Sequence, residues 1–190
     1  MRKLFLLSIF IVLGCITSQA QISFGAKAGV NFASLQGDDA DDIEGQTTIN
    51  IGGIANIGIT ELLAVQPELV YSRQGFKSDE NDITVFLDYL TIPVMADFTI
   101  AEGLSLQGGP QVGININSII KDDETENEED LDNVEGLDLG MGIGAQYRLP
   151  MGLFFQARYV AGLNNVFEDI EGESVDAKNS VISVSIGWFF

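Results

Sequence analysis

The acidic run DDETENEED, residues 122–130, is the densest cluster of charged side chains in the sequence. Clustered carboxylates suit hard divalent cations, which bind through oxygen. The run lacks the spaced Asp/Asn ligands and central glycine of a calcium loop, so it reads as a solvated, self-repelling outer loop that associates with divalent cations only loosely. No metal ligand set is assigned to it. Gly140-Met141-Gly142-Ile143-Gly144 looks like a dinucleotide-binding loop, but that chemistry needs a strand-to-helix turn and no helical pattern follows. Its glycines alternate along one strand face, where they relieve crowding. Histidine is absent and the single cysteine is Cys15, which excludes histidine-based triads and His–metal hydrolysis. No pattern positions a serine–lysine or paired-carboxylate site. No catalytic residue and no cofactor is assigned.

A different set of charged residues stands alone inside uncharged, alternating segments: Lys27, Glu68, Asp97, Asp138 and Arg158. If these segments are strands, the alternation turns Lys27, Glu68 and Arg158 to the polar side near mid-length. Buried charges must pair or cost several kcal/mol each, roughly. The expectation is a structural polar network of Lys27, Glu68, Asp97 and Arg158; the alternative use of such residues is a proton or ion path.

The elements that must position these residues follow from a period of two. Ile182, Val184, Ile186, Trp188 and Phe190 alternate with Ser183, Ser185 and Gly187 up to the last residue. The same alternation predicts eight strands at about 22–35, 47–60, 62–75, 84–99, 104–117, 137–147, 152–163 and 179–190. Short turns around Glu61, Glu102-Gly103 and Leu149-Pro150-Met151-Gly152 join strands 2–3, 4–5 and 6–7. Longer acidic loops join the others, and 22 of the 28 Asp and Glu residues fall in stretches 36–46, 77–84, 118–136 and 164–178. An up-and-down meander then puts all long loops on one rim and both chain ends on the other.

Residues 1–20 read as a cleaved signal peptide: Arg2 and Lys3, an apolar Leu4–Ile16 core, and Ser18-Gln19-Ala20 before Gln21. Lipidation at Cys15 is disfavoured by the bulky Leu13 two residues before it. Residues 21–190 then form one domain with 7 Lys and Arg against 28 Asp and Glu, a formal charge of −21. Nucleic acid is excluded as a partner for such a surface.

Composition decides which way the apolar face points. A soluble lipocalin-like barrel carries charges outside and apolar groups inside. Here the polar faces hold Gly, Ser, Asn and Gln with few charges, which suits a crowded barrel interior, while the apolar strips run about 9–11 residues, enough to cross hydrocarbon when tilted. The fold expected is all-β: an eight-stranded antiparallel up-and-down transmembrane β-barrel of the outer membrane.

"GAKAGVNFASL" (25–35), "QPELVYSRQG" (66–75), "DYLTIPVM" (88–95), "GGPQVG" (108–113), "ARYVAGLNN" (157–165) and "SIGWFF" (185–190) resemble the PorT-like or "porin family" outer-membrane β-barrel domains, in order and spacing, over nearly all of 21–190. The resemblance implies an integral barrel in a Gram-negative envelope with no catalytic motif. It also implies recognition of the terminal strand, ending in Phe190, by barrel-assembly machinery. The partners expected are outer-membrane lipid, that machinery, and envelope proteins met through the acidic loops. The function expected is structural or interaction-type with a filled lumen, the alternative being a narrow channel or transporter for small solutes or ions.

Overall fold

The computed structural model describes residues 21–37, 43–78, 83–122, 128–131, 134–167 and 176–190. The expected leader, 1–20, lies outside them. Eight long strands form the wall: β1 (Ile22–Gln36), β2 (Ile43–Gly58), β3 (Leu63–Ser78), β4 (Ile83–Ala101), β5 (Leu104–Asp122), β7 (Leu137–Arg148), β8 (Leu153–Gly162) and β9 (Lys178–Phe189). Each pairs antiparallel with its neighbours in sequence, and β1 pairs with β9 from Gly25↔Phe189 to Gln36↔Lys178. That last ladder closes the sheet on itself, so the fold is a closed eight-stranded antiparallel barrel. The backbone is tied to its last residue, where the Phe190 amide donates to the Phe24 carbonyl at 2.8 Å. Among the described residues no helix is long and apolar enough to cross a membrane.

The long acidic connection expected over 118–136 is partly strand. β5 continues to Asp122, and a short β6 (Glu128–Asp130) pairs with Ile119–Lys121. Ser118-Ile119-Ile120 carries enough β-forming apolar side chain to extend the ladder beyond the predicted end. The expected strand starting at 47 likewise begins at Ile43. On the opposite rim the turns are short. Gly103 (φ 74°) and Gly152 (φ 96°) occupy backbone conformations that L side chains rarely adopt. Thr60 Oγ1 accepts from the amides of Leu62 and Leu63 to set the third turn.

Along most of the barrel height the two faces separate as the alternation predicts. Phe98, Leu139 and Ile186 are 49%, 39% and 49% exposed on the outside, while Gln111 and Arg158 are 8% and 4% exposed inside. Large apolar side chains thus cover the outer belt and small or amide side chains fill the lumen. Tyr147, Trp188 and Phe190 stand exposed at the turn rim, where an aromatic girdle meets the membrane interface.

Near the loop rim the polarity reverses without any change in strand phase. On β4 the outward residues run Phe98, Ala96, Val94, Ile92, Leu90 and then Asp88, while the inward ones run Asp97, Thr91 and then Tyr89, Leu87 and Val85. Leu35, Phe76, Val85, Leu87, Tyr89, Val166 and Ala177 form a buried cluster, with Leu131, Val134 and Phe167 packed against it. Loop backbone folds over it: Leu131 N donates to Ser118 O, Glu135 N to Val166 O and Val166 N to Ala177 O. The outside of this section faces water, so burial of apolar groups returns to the interior. These described loop segments are docked, where the sequence suggested only solvated loop.

Leu87 is fully buried in this cap. Leu87→Ala is expected to lower stability by about 2–5 kcal/mol. It should also speed amide exchange at Leu131, Glu135 and Val166 ahead of the β7–β8 ladder. Unchanged exchange at those three amides would contradict the cap.

Candidate functional site: the lumen network

The predicted lumen residues sit on four strands, with Asp97 nearer the turn rim than the other three. Lys27 (β1), Glu68 (β3), Asp97 (β4) and Arg158 (β8) all point inward and are nearly inaccessible. Glu68 is the hub. It accepts from Lys27 Nζ at 2.7 Å and from Arg158 through two nitrogens, Nη1 to Oε2 at 2.8 Å and Nη2 to Oε1 at 2.7 Å. The two-pronged guanidinium fixes the carboxylate plane as well as its charge.

Glutamines complete the network. Gln66 Nε2 donates to Glu68 Oε1 at 2.9 Å, and Lys27 Nζ reaches Gln156 Oε1 at 2.8 Å. Gln107 Oε1 accepts from Arg158 Nη2 at 2.9 Å and from Gln156 Nε2 at 3.0 Å, while its own amide donates to Asp97 Oδ2 at 2.6 Å. Asp97 therefore joins through Gln107 and makes the group two cations against two carboxylates. All four predicted residues belong to one connected cluster. The glutamines were visible in the sequence as polar-face residues; which of them bridge the charges depends on cross-barrel geometry that spacing along one strand does not carry.

The glycine run on β7 explains how Arg158 fits. Gly144 lies opposite Arg158 in register, and a Cβ there would fall 2.5 Å from the Ala157 carbonyl and 3.1 Å from Arg158 Cα. At Gly142 a Cβ would meet Met95 Cε at 3.3 Å and Arg158 Cδ at 3.6 Å. The run lets β7 approach the β8 backbone closely beside Arg158, and it lies wholly within a strand, with no phosphate-cradling turn.

Above the hub a second polar layer follows. Asn31 Nδ2 donates to Ser72 Oγ at 3.0 Å, Asn50 Nδ2 to Asn31 Oδ1 at 2.8 Å, and Ser185 Oγ to Asn50 Oδ1 at 3.0 Å. A cavity of about 30 Å³, lined in part by Lys27 and Arg158 of the hub and by Asn31, Asn50 and Ser72, lies between this level and the hub. Asp138, also buried, accepts from Asn179 Nδ2 at 2.9 Å. Below the hub a polar vestibule of about 200 Å³ lies at the turn rim, with Asn56, Glu61, Asp97, Gln146 and Arg148 among its walls. Beside it Phe154 and Phe189 pack with Ile54, their ring centroids 4.9 Å apart and tilted by 40°, and Arg148 lies over the Phe189 ring at 4.2 Å.

The arrangement can obstruct and brace a barrel; its chemistry is hydrogen bonding among buried polar groups, with Arg158 Nε left without a partner. Among the described residues no group of three or more His, Cys, Asp or Glu side chains is placed to hold a metal ion. Residues 123–127 of the acidic run lie outside the described residues.

Residues 17–168 match the family model described as outer membrane protein beta-barrel domain. The chain belongs to that family. Its fold is shared with Ail, the attachment invasion locus protein of Yersinia pestis, at 17% identity and a TM-score of 0.53, over 88% of this chain and 98% of that one. It is also shared with Neisserial surface protein A, at 12% identity and a TM-score of 0.60, over 90% of this chain and 99% of that one. These solved structures and the family place the protein as an outer-membrane β-barrel. Among curated proteins none matches the chain.

Glu68→Gln removes the charge that balances Lys27 and Arg158 and is expected to destabilise the barrel by about 3–5 kcal/mol. In urea unfolding from liposomes, a double-mutant cycle of Glu68→Gln with Lys27→Met should show strong coupling. Additive effects would mean that the two residues do not share an ion pair.

Proposed function

We propose that the protein is a closed barrel of structural and interaction type, anchored in outer-membrane lipid and presenting its acidic loops outward. The observation that carries this reading is obstruction at two separate levels. The Lys27–Glu68–Arg158 network with its glutamines fills mid-lumen, and the Leu35–Phe76–Leu87–Val166 cap fills the loop end. An eight-stranded barrel has an interior that side chains just fill, so the family label "porin" does not by itself imply a pore. The motifs quoted above favour the PorT-like grouping within the wider family.

We further propose that residues 1–20 are removed on export and that the terminal strand ending in Phe190 is read by barrel-assembly machinery. Its outward aromatic residues, Trp188 and Phe190, sit at the chain end and remain exposed at the turn rim. Envelope proteins are the partners proposed for the loops. Ail, by its printed name an attachment protein, has the same barrel, which is compatible with contact made by loops on a closed scaffold. The vestibule of about 200 Å³ at the turn rim favours a second reading, a narrow channel or transporter whose gate is the hub.

Planar-bilayer recording separates the two readings. The closed scaffold gives no steady current in the wild type. A steady ion current that Glu68→Gln abolishes would overturn the closed-lumen reading and establish the hub as part of a conduction path.

A further inference from the structure

Beyond the leader the chain carries seven Lys and Arg residues. Lys27 and Arg158 hold Glu68, Arg73 holds Asp88, and Lys178 holds Asp176. Lys77 and Lys121 lie opposite Glu44 and Glu128 in register. Arg148 differs from all of these. Among the described residues no carboxylate or carbonyl accepts from its guanidinium, which lies over the Phe189 ring. The ring attracts the cation but supplies no lone pair for its five N–H donors. Those donors open on the vestibule at the turn rim, whose wall Arg148 forms.

The guanidinium is held from both ends. At the backbone, the Arg148 amide donates to the Gly103 carbonyl at 2.7 Å. Gly103 approaches so closely that a Cβ there would fall 2.5 Å from the Arg148 carbonyl. At the tip, Phe189 is itself buried against Phe154 and Ile54. Alternation along β7 turns Arg148 to the same side as the buried Gln146. The inward rows beyond it are Thr99, Ser105 and Gln146, then Asp97, Gln107 and Gly144. Arg148 thus stands near the mouth, hydroxyls and an amide line the middle, and the hub closes the inner end.

Charge selects the occupant. The hub is already balanced, with Lys27 and Arg158 against Glu68 and Asp97. Arg148 therefore adds an unmatched positive charge to the wall of a cavity of about 200 Å³. Asp97 and Glu61 line the same cavity, so a second negative charge on a ligand would meet two carboxylates. The volume is below the roughly 300–1,000 Å³ of pockets for drug-sized ligands. We propose that the vestibule binds a small polar monocarboxylate from the solvent on the turn side. Its carboxylate forks on Arg148, whose paired N–H groups match two oxygens, and its polar tail lies among Thr99, Ser105 and Gln146. The site rests on the membrane placement of the barrel and is independent of whether the lumen conducts; behind a closed hub it is a dead-end pocket.

Ligand-observed saturation-transfer NMR on the mature chain in phospholipid nanodiscs tests this, with lactate as probe. Saturation should pass to lactate and not to neutral lactamide, and equimolar sulfate, a dianion, should leave the lactate signal in place. Arg148→Gln should weaken lactate binding about tenfold to a hundredfold, the loss expected for a charge-assisted hydrogen bond. Lys178→Gln, at the loop end of β9, should bind as the wild type does. With isotope-labelled arginine, the Arg148 Nε signal should shift saturably with lactate while that of Arg158 stays fixed. Heat-modifiable gel mobility reports that each variant is folded; if Arg148→Gln unfolds, the Arg148 signal of the wild type carries the test. No transfer to lactate, equal transfer to lactamide, displacement by equimolar sulfate, an unmoved Arg148 signal, or unchanged binding by folded Arg148→Gln would each overturn the proposal.

Discussion

Hydrocarbon offers no partner to a peptide N–H or C=O, so a strand that enters it must be paired on both edges. That constraint explains the closure of this sheet. The β1–β9 ladder uses twelve registered residues of β1, and neither strand keeps a free edge within the belt. Closing eight strands leaves a lumen only as wide as side chains. The inward stripe must then be small, amide-bearing or exactly partnered in charge, and the outward stripe must be apolar. The glycines on β7, the glutamines Gln66, Gln107 and Gln156 around the hub and the terminal aromatics are consequences of this one geometry.

Charge in the lumen is tolerated because it is shared. Glu68 alone would be an uncompensated buried carboxylate; with Arg158 and Lys27 on it, and Asp97 linked through Gln107, the cluster is balanced. Such a network gives cross-barrel rigidity that apolar side chains of the same size would supply without orientation. At the loop end the solvent outside changes from lipid to water, and the wall becomes that of a soluble barrel. Asp88 shows the same transition from the other side. It points out of the wall, where Arg73 Nε and Nη2 and the Tyr71 hydroxyl donate to it.

Alternation made the strands, their sides, the rim asymmetry and the inward direction of Lys27, Glu68 and Arg158 legible in the sequence. The cap was less so, although β4 contains its signal. Val85, Leu87 and Tyr89 are apolar at odd positions, whereas Leu90, Ile92, Val94 and Phe98 are apolar at even or outward positions. The hydrophobic pattern slips phase while the strand continues, which marks a change of solvent and not a turn. β6 was not legible because its Glu128–Asp130 residues are acidic and carry none of the apolar alternation that marks the other strands. The bridging role of Gln107 is a product of closure, since it joins residues on β4 and β8.

The central claim is that the apolar stripe touches acyl chains. The mature chain expected from the sequence has no cysteine, so single cysteines carrying spin labels can be introduced at Leu69, Leu106, Ile143 and Ile186, with Lys121 as a site outside the belt. In reconstituted bilayers the four belt labels should collide with dissolved oxygen far more than with a water-soluble nickel chelate, and the label at 121 should show the reverse. Strong collision of the belt labels with the nickel chelate would contradict the account.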